Sequence, residues 1–166
     1  MTIHIRTLLP EDETDLVFLA NNRSIYDNVR DIFPHPYTPE DARGWIDYCR
    51  SQPTLNAAIA VDDRFAGCVG LIPGQDIHRV SAEIGYWLGE PFWGKGIMTT
   101  ALDLWVKHIW QTFPEVHRLW AGVFAFNTAS MRVLEKVGFE QEAVLKQAMI
   151  KNQVLVDEHL YSLRRS

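Results

Sequence analysis

At 166 residues the chain can bury roughly two-thirds of its unfolded surface without a disulfide or metal staple. Sixteen Lys and Arg stand against 21 Asp and Glu, and this net charge of −5 argues against a general nucleic-acid binder with a basic face. Hydrophobic residues at 47% and charged residues at 22% exclude a disordered chain.

Ile3 and Ile5 alternate with His4 and Arg6 and run into Leu8 and Leu9, which predicts a first strand closed by Pro10. The acidic run Glu11–Asp15 ahead of Leu16, Val17 and Leu19 favours a helix start. A second short helix is predicted over Ser24–Arg30. Two prolines make Phe33–Tyr37 an extended loop. Thr38, Pro39 and Asp41 then supply an N-cap, a proline at N1 and an acid at N3 for a helix over Pro39–Ser51. Leu55–Val61 and Phe65–Ile72 read as a hairpin. In Val80–Leu88, Val80, Ala82, Ile84, Tyr86 and Leu88 share one face, and Ser81, Glu83, Gly85 and Trp87 share the other. Both faces are largely apolar, so this strand is expected to be central and covered on both sides.

A loop over Gly89–Gly96 leads into an amphipathic helix ending near Gln111. A strand follows over His117–Val123. Asn127 or Thr128 caps a short helix that ends at Gly138. Phe139–Ile150 and Val154–Leu163 form a final hairpin about Asn152. The order predicts a mixed α/β chain forming a single domain over residues 1–166. No apolar run approaches the ~18–20 residues of a membrane span. Met1–Arg6 lacks the core of a signal peptide. A soluble, cytoplasmic protein is therefore expected, with no nucleic-acid or membrane partner. Cys49 and Cys68 form no CxxC, and the six histidines show no metal-ligand spacing, so free thiols and no metal are expected.

The strongest site signal is strand, glycine-rich loop, helix over residues 80–111. A helix start has free N–H groups and a positive dipole end, and glycines let an anion approach the backbone. Gly94-Lys95-Gly96 therefore reads either as a pyrophosphate cradle or as a tight strand-to-helix turn. It is not a Walker loop, and Thr99 stands where a GxGxxG fingerprint needs glycine.

Ala82-Glu-Ile-Gly-Tyr-Trp-Leu88 with Phe92-Trp-Gly-Lys-Gly-Ile-Met-Thr99 resembles the acetyl-CoA-binding core of the GNAT family of N-acetyltransferases. Asn127-Thr-Ala-Ser-Met-Arg-Val-Leu-Glu-Lys-Val-Gly-Phe139 resembles that family's next motif. Phe33–Thr38 and Asp157–Tyr161 resemble its RimJ/RimL-like branch, which acetylates N-termini of ribosomal proteins. The resemblance implies a GNAT fold: a mixed, mostly antiparallel, seven-stranded sheet with helices on both faces, splayed into a V between its fourth and fifth strands. It also implies acetyl-CoA as co-substrate. Tyr86, Trp87 and Leu88 would lie beside the pantetheine arm. Trp93, Gly94, Lys95, Gly96, Ile97, Met98 and Thr99 would hold the pyrophosphate. Asn127 would bond the pantetheine arm, and Ser130 would sit near the thioester sulfur. One position departs from the family's Q/R-x-x-G-x-G/A loop: Pro91 stands first and offers no side-chain donor.

Only a neutral amine attacks a thioester, so a base must take a proton and an acid can protonate the departing thiolate. Glu83 is the candidate base. A carboxylate in apolar surroundings holds its proton more tightly, which brings it toward the working range of a base. Its alternative roles are pairing with an Arg or attracting the substrate ammonium. Ser130 is the candidate thiolate acid, or else an ordinary helix residue bonding an i−4 carbonyl. Tyr161 is a reserve for that step. Phe33, His35 and Tyr37 are candidate substrate-lining residues, with packing over the sheet as the alternative. Trp105, Trp110 and Trp120 are assigned to the core. The expected reaction is direct transfer from acetyl-CoA to a primary amine. The first acceptor is a protein N-terminus; the alternatives are a small amine (polyamine, amino acid or aminoglycoside) or a non-catalytic acyl-CoA-binding module. The final hairpin offers an edge for strand pairing, so a monomer or homodimer is expected.

Overall fold

The chain folds in order into β1 (Ile3–Arg6), α1 (Glu13–Ala20), α2 (Arg23–Tyr26), α3 (Pro39–Ser51), β2 (Asn56–Val61), β3 (Arg64–Pro73) and β4 (Ser81–Leu88). It continues with α4 (Ile97–Thr112), β5 (Arg118–Phe124), α5 (Thr128–Val137), β6 (Glu140–Lys151) and β7 (Val154–Arg164). The computed structural model describes all residues, Met1–Ser166. Seven strands form one sheet in the order β1-β2-β3-β4-β5-β7-β6. β4 and β5 run parallel, whereas β1–β2, β2–β3, β5–β7 and β6–β7 are antiparallel. This is the expected mixed, mostly antiparallel sheet. The parallel register runs from Ser81–Arg118 to Glu83–Trp120, and from Ala121 to Phe124 β5 continues against β7.

Local chemistry explains most boundaries. At α3, the Thr38 hydroxyl accepts from the Asp41 N–H at 3.2 Å and Asp41 accepts from the Thr38 N–H at 2.9 Å, a reciprocal capping box. At α5, Asn127 Oδ1 accepts from the Ser130 N–H at 3.2 Å, and Gly138 ends the helix at φ +102°. Asp62-Asp63 and Asn152-Gln153 take positive φ, the turn geometry that matches strand twist in tight hairpins. β1 stops at Arg6, short of the predicted Leu9, because Leu8 turns fully inward and Pro10 opens a 3-10 turn. The Arg6 guanidinium grips buried Asp12 with two 2.8 Å bonds at that bend. The second helix is only one turn long, capped by Asn22.

The fold divides into two compact units. The first comprises Met1–Gly70 and Tyr86–Trp105. Here Leu16, Leu19 and Ala20 of α1 and Ala42, Ile46 and Cys49 of α3 pack with Ala58, Phe65 and Cys68 of the strands. All six residues of β2 are buried, so both its faces are covered. A register shift at Ile59/Ala60 leaves Ala66 to accept the Gly89 N–H at 2.8 Å. Gly67 is required beside it, since a Cβ there would collide with the Trp87 carbonyl.

The second unit comprises Leu71–Gly85 and Val106–Ser166. Leu119, Ala121 and Val123 bury one face of β5. Tyr161 and Leu163 of β7 share that face by register, and both touch α5 or its cap, through Glu135 and Gly138. Trp120 and Gly122 point the other way and are half-buried. Two sequence expectations are corrected. Trp110 and Trp120 are half-buried rather than core, Trp110 lying under the Arg165 guanidinium at 4.5 Å. The Ser81–Trp87 face of β4 is not covered throughout, because Gly85 is exposed with open space where a side chain would stand.

Candidate active site

In the first unit, the loop after β4 is built around two glycines. Gly94 and Gly96 adopt φ of +71° and +73°, and a Cβ on either would meet nothing within 4 Å. The backbone is therefore turned and open to solvent. α4 begins at Ile97, and the Thr100 N–H bonds back to the Gly96 carbonyl at 3.2 Å. The N–H groups of Ile97, Met98 and Thr99 precede that bond, in the turn where a helix has no carbonyls for them. Ile97 and Met98 side chains are buried, so what they offer a ligand is backbone. Positive helix ends and glycine turns of this kind suit phosphate oxygens. Pro91 sits in a 3-10 turn over Glu90–Phe92, and its carbonyl accepts Lys95 Nζ at 2.8 Å. The family's usual donor position has thus become a brace for the loop's lysine. Trp93 Nε1 donates to the Leu88 carbonyl at 2.7 Å, tying the loop to the end of β4.

Tyr86, Trp87 and Leu88 form that end. The Leu88 side chain is buried and the Trp87 ring faces an aromatic group, 5.6 Å edge-on from Phe33 and 6.0 Å from Phe65. Phe33 also meets Tyr37 at 5.3 Å. Tyr37 is 5% exposed, and burial pushes its phenol pKa up. Of the three predicted lining residues, Phe33 and Tyr37 are thus brought to β4. His35 instead stacks on Tyr26 at 4.8 Å.

In the second unit, Glu83 is half-buried on β4 opposite Trp120. Asn127 and Ser130 are joined through the α5 cap, which uses the Asn127 carbonyl oxygen. Glu83 lies on the sheet face of Trp120, and α5 packs on the opposite face with Tyr161. Tyr161 is 2% exposed and donates to Glu135 Oε1 at 3.0 Å. Burial and that bond raise its pKa, which makes it a poor proton donor. Its place is in the packing under α5.

Both cysteines are free and buried, as expected. Burial pushes the Cys68 thiol up to about 12 and raises Cys49 as well, so neither is a nucleophile at neutral pH.

The model of the acetyltransferase (GNAT) domain family matches residues 2–140. The chain belongs to the GNAT acetyltransferases. This GNAT chain is 32% identical over 170 residues to the "Probable N-acetyltransferase YjcK" of Bacillus subtilis, covering 98% of itself and 93% of that protein. It is 38% identical over 101 residues to the "Ribosomal-protein-serine acetyltransferase" of Escherichia coli, covering 61% of itself and 55% of that protein. Among solved structures, a RimL ribosomal L7/L12 α-N-protein acetyltransferase with coenzyme A superposes with a TM-score of 0.84. That match has 23% identity and covers 99% of this chain and 94% of the other, and it establishes the fold. The microcin C7 self-immunity acetyltransferase MccE, solved with acetyl-CoA and AMP, gives a TM-score of 0.82 at 25% identity, with 98% and 92% covered.

Proposed function

We propose that this GNAT enzyme moves the acetyl group of acetyl-CoA directly to the N-terminal α-amine of a protein or peptide. The open glycine turn at the start of α4 carries the reading, because it leaves bare backbone where a pyrophosphate would bind. Gly94, Lys95 and Gly96, with the first N–H groups of α4, would hold the phosphates. The strand end Tyr86–Leu88 and the side chain of Asn127 would hold the pantetheine arm. Bound acetyl-CoA supplies an activated thioester; everything else is asked of the chain.

An N-terminal amine has a pKa near ~8, so much of it is charged at neutral pH and must lose a proton. Glu83 takes that proton, directly or through one water. Ser130 delivers its hydroxyl proton to the departing sulfur and regains one from the attacking nitrogen, through water, as the amide forms. These two belong to opposite faces of the sheet, and the register of β4 with β5 ends at Glu83. That arrangement suits a reaction in which one proton leaves on the amine side and another arrives on the thiol side. The buried, neutral cysteines favour direct transfer over an acyl-enzyme.

The protein N-terminus as acceptor draws support from the ribosomal-protein acetyltransferases among its relatives. A small amine is the second reading: the microcin C7 self-immunity acetyltransferase MccE is solved with a small molecule, AMP, as well as acetyl-CoA.

A thermal shift tests cofactor choice. At 100 times Kd a ligand adds about 2.7 kcal/mol, a rise of roughly 5–11 °C for a chain of this size. Acetyl-CoA is expected to give this rise, and NAD and ATP are not. No shift at millimolar acetyl-CoA would overturn the reading.

A further inference from the structure

Glu83 shares its sheet face with a second carboxylate. Glu83 lies opposite Trp120 and Glu158 opposite Phe124, and Trp120, Gly122 and Phe124 alternate onto one face of β5. α5 covers the other face, where Tyr161 lies. The Glu158 side chain lies back across β5, and its carboxylate occupies the space a side chain at Gly122 would fill. Gly122 is two residues, roughly 6.6 Å of strand, beyond the partner of Glu83.

Several other acids of this unit are engaged, and Asp76, Glu115 and Glu140 are exposed to solvent. Glu135 accepts from Tyr161, Glu142 pairs with Arg118, and Asp157 takes Lys146 and the Gln147 N–H. Glu158 is half-buried, and its carboxylate has no hydrogen-bond or ion-pair partner in the chain. A carboxylate with no partner in the chain is open to a charge-assisted bond from an incoming cation.

We propose that Glu158 is the residue that binds the acceptor amine, holding the incoming ammonium on the Glu83 face. The two carboxylates divide the work. Glu158 holds the cation in place. Glu83 removes one proton from it, leaving the neutral amine to attack, and later gives that proton to solvent. The inference rests on the acetyl-transfer reading and requires an amine acceptor. Gly122 is part of the device, because it alone leaves room for the carboxylate.

The test begins with wild-type turnover of three probes with acetyl-CoA: a peptide starting with Ser, one starting with Ala, and spermidine. The probe turned over is then carried to Glu158→Gln and Gly122→Ala. Each variant is expected to raise the KM for the amine about tenfold or more, with the loss in KM rather than kcat. The KM for acetyl-CoA should move less than about twofold, a change too small to mark lost binding. Gly122→Ala displaces only the end of a flexible side chain, so the fold stands and Glu158 is moved without being replaced. The double variant should be no worse than either single one, since both remove the same contact. An unchanged amine KM in both single variants overturns the role of Glu158. Turnover of spermidine alone overturns the N-terminal acceptor and leaves Glu158 to be judged by the same KM comparison. No turnover of any probe overturns both.

Discussion

Gly94→Asp is expected to weaken acetyl-CoA binding by about 100-fold or more, equivalent to about 2.7 kcal/mol. Gly94 is exposed at φ +71°, with nothing within 4 Å of a built Cβ, so a side chain fits without disturbing the core. Asp is also one of the residues that tolerate positive φ. The damage is electrostatic: a carboxylate enters the space offered to the pyrophosphate and opposes it at the positive end of α4. Gly94→Asn has nearly the same shape without the charge and should lose much less. Isothermal titration of both variants, with circular dichroism for the fold, checks this. Equal losses in the two would point to sterics, and retained affinity in Gly94→Asp would remove the loop from the cofactor site.

Glu83→Gln is expected to lower kcat by about 10²- to 10³-fold, the range of a lost general base. Glutamine keeps the size and the strand contacts of Glu83 beside Trp120, so acetyl-CoA affinity should hold. The pH profile separates a base from a mere attractant. In the wild type, kcat/KM should rise with pH as Glu83 loses its proton, and in the variant that acidic limb should vanish. An unchanged pH–rate curve would leave Glu83 only the role of drawing in the ammonium, alongside Glu158.

Much of this was legible in residues whose chemistry is local. Thr38, Pro39 and Asp41 announce α3, and its observed bounds, Pro39–Ser51, match those read from the caps. Asn127 and Gly138 do the same for α5. The pair Gly94 and Gly96 marked the loop, and both take the positive φ that makes glycine useful there. What the sequence hid depends on neighbours distant along the chain. Alternation on β4 identifies two faces but not which one is left open at Gly85. Tryptophan composition does not reveal that Trp110 serves as a platform for Arg165. The sequence does not reveal that the Tyr161 hydroxyl donates to Glu135, 26 positions away. Glu158 stands in the sequence only as part of the Asp157–Tyr161 stretch, because its particular place comes from Gly122 on the adjacent strand.

The most direct test of the account incubates the wild-type enzyme and acetyl-CoA with a peptide that has a free N-terminal Ser and one internal Lys. Tandem mass spectrometry then locates the acetyl group. One acetyl group is expected on the N-terminal nitrogen, with free coenzyme A formed in equal amount and at most about a hundredth of that product in Glu83→Gln at the same time point. Acetylation of the lysine, or none on the peptide while a small amine is acetylated, would contradict the assigned acceptor.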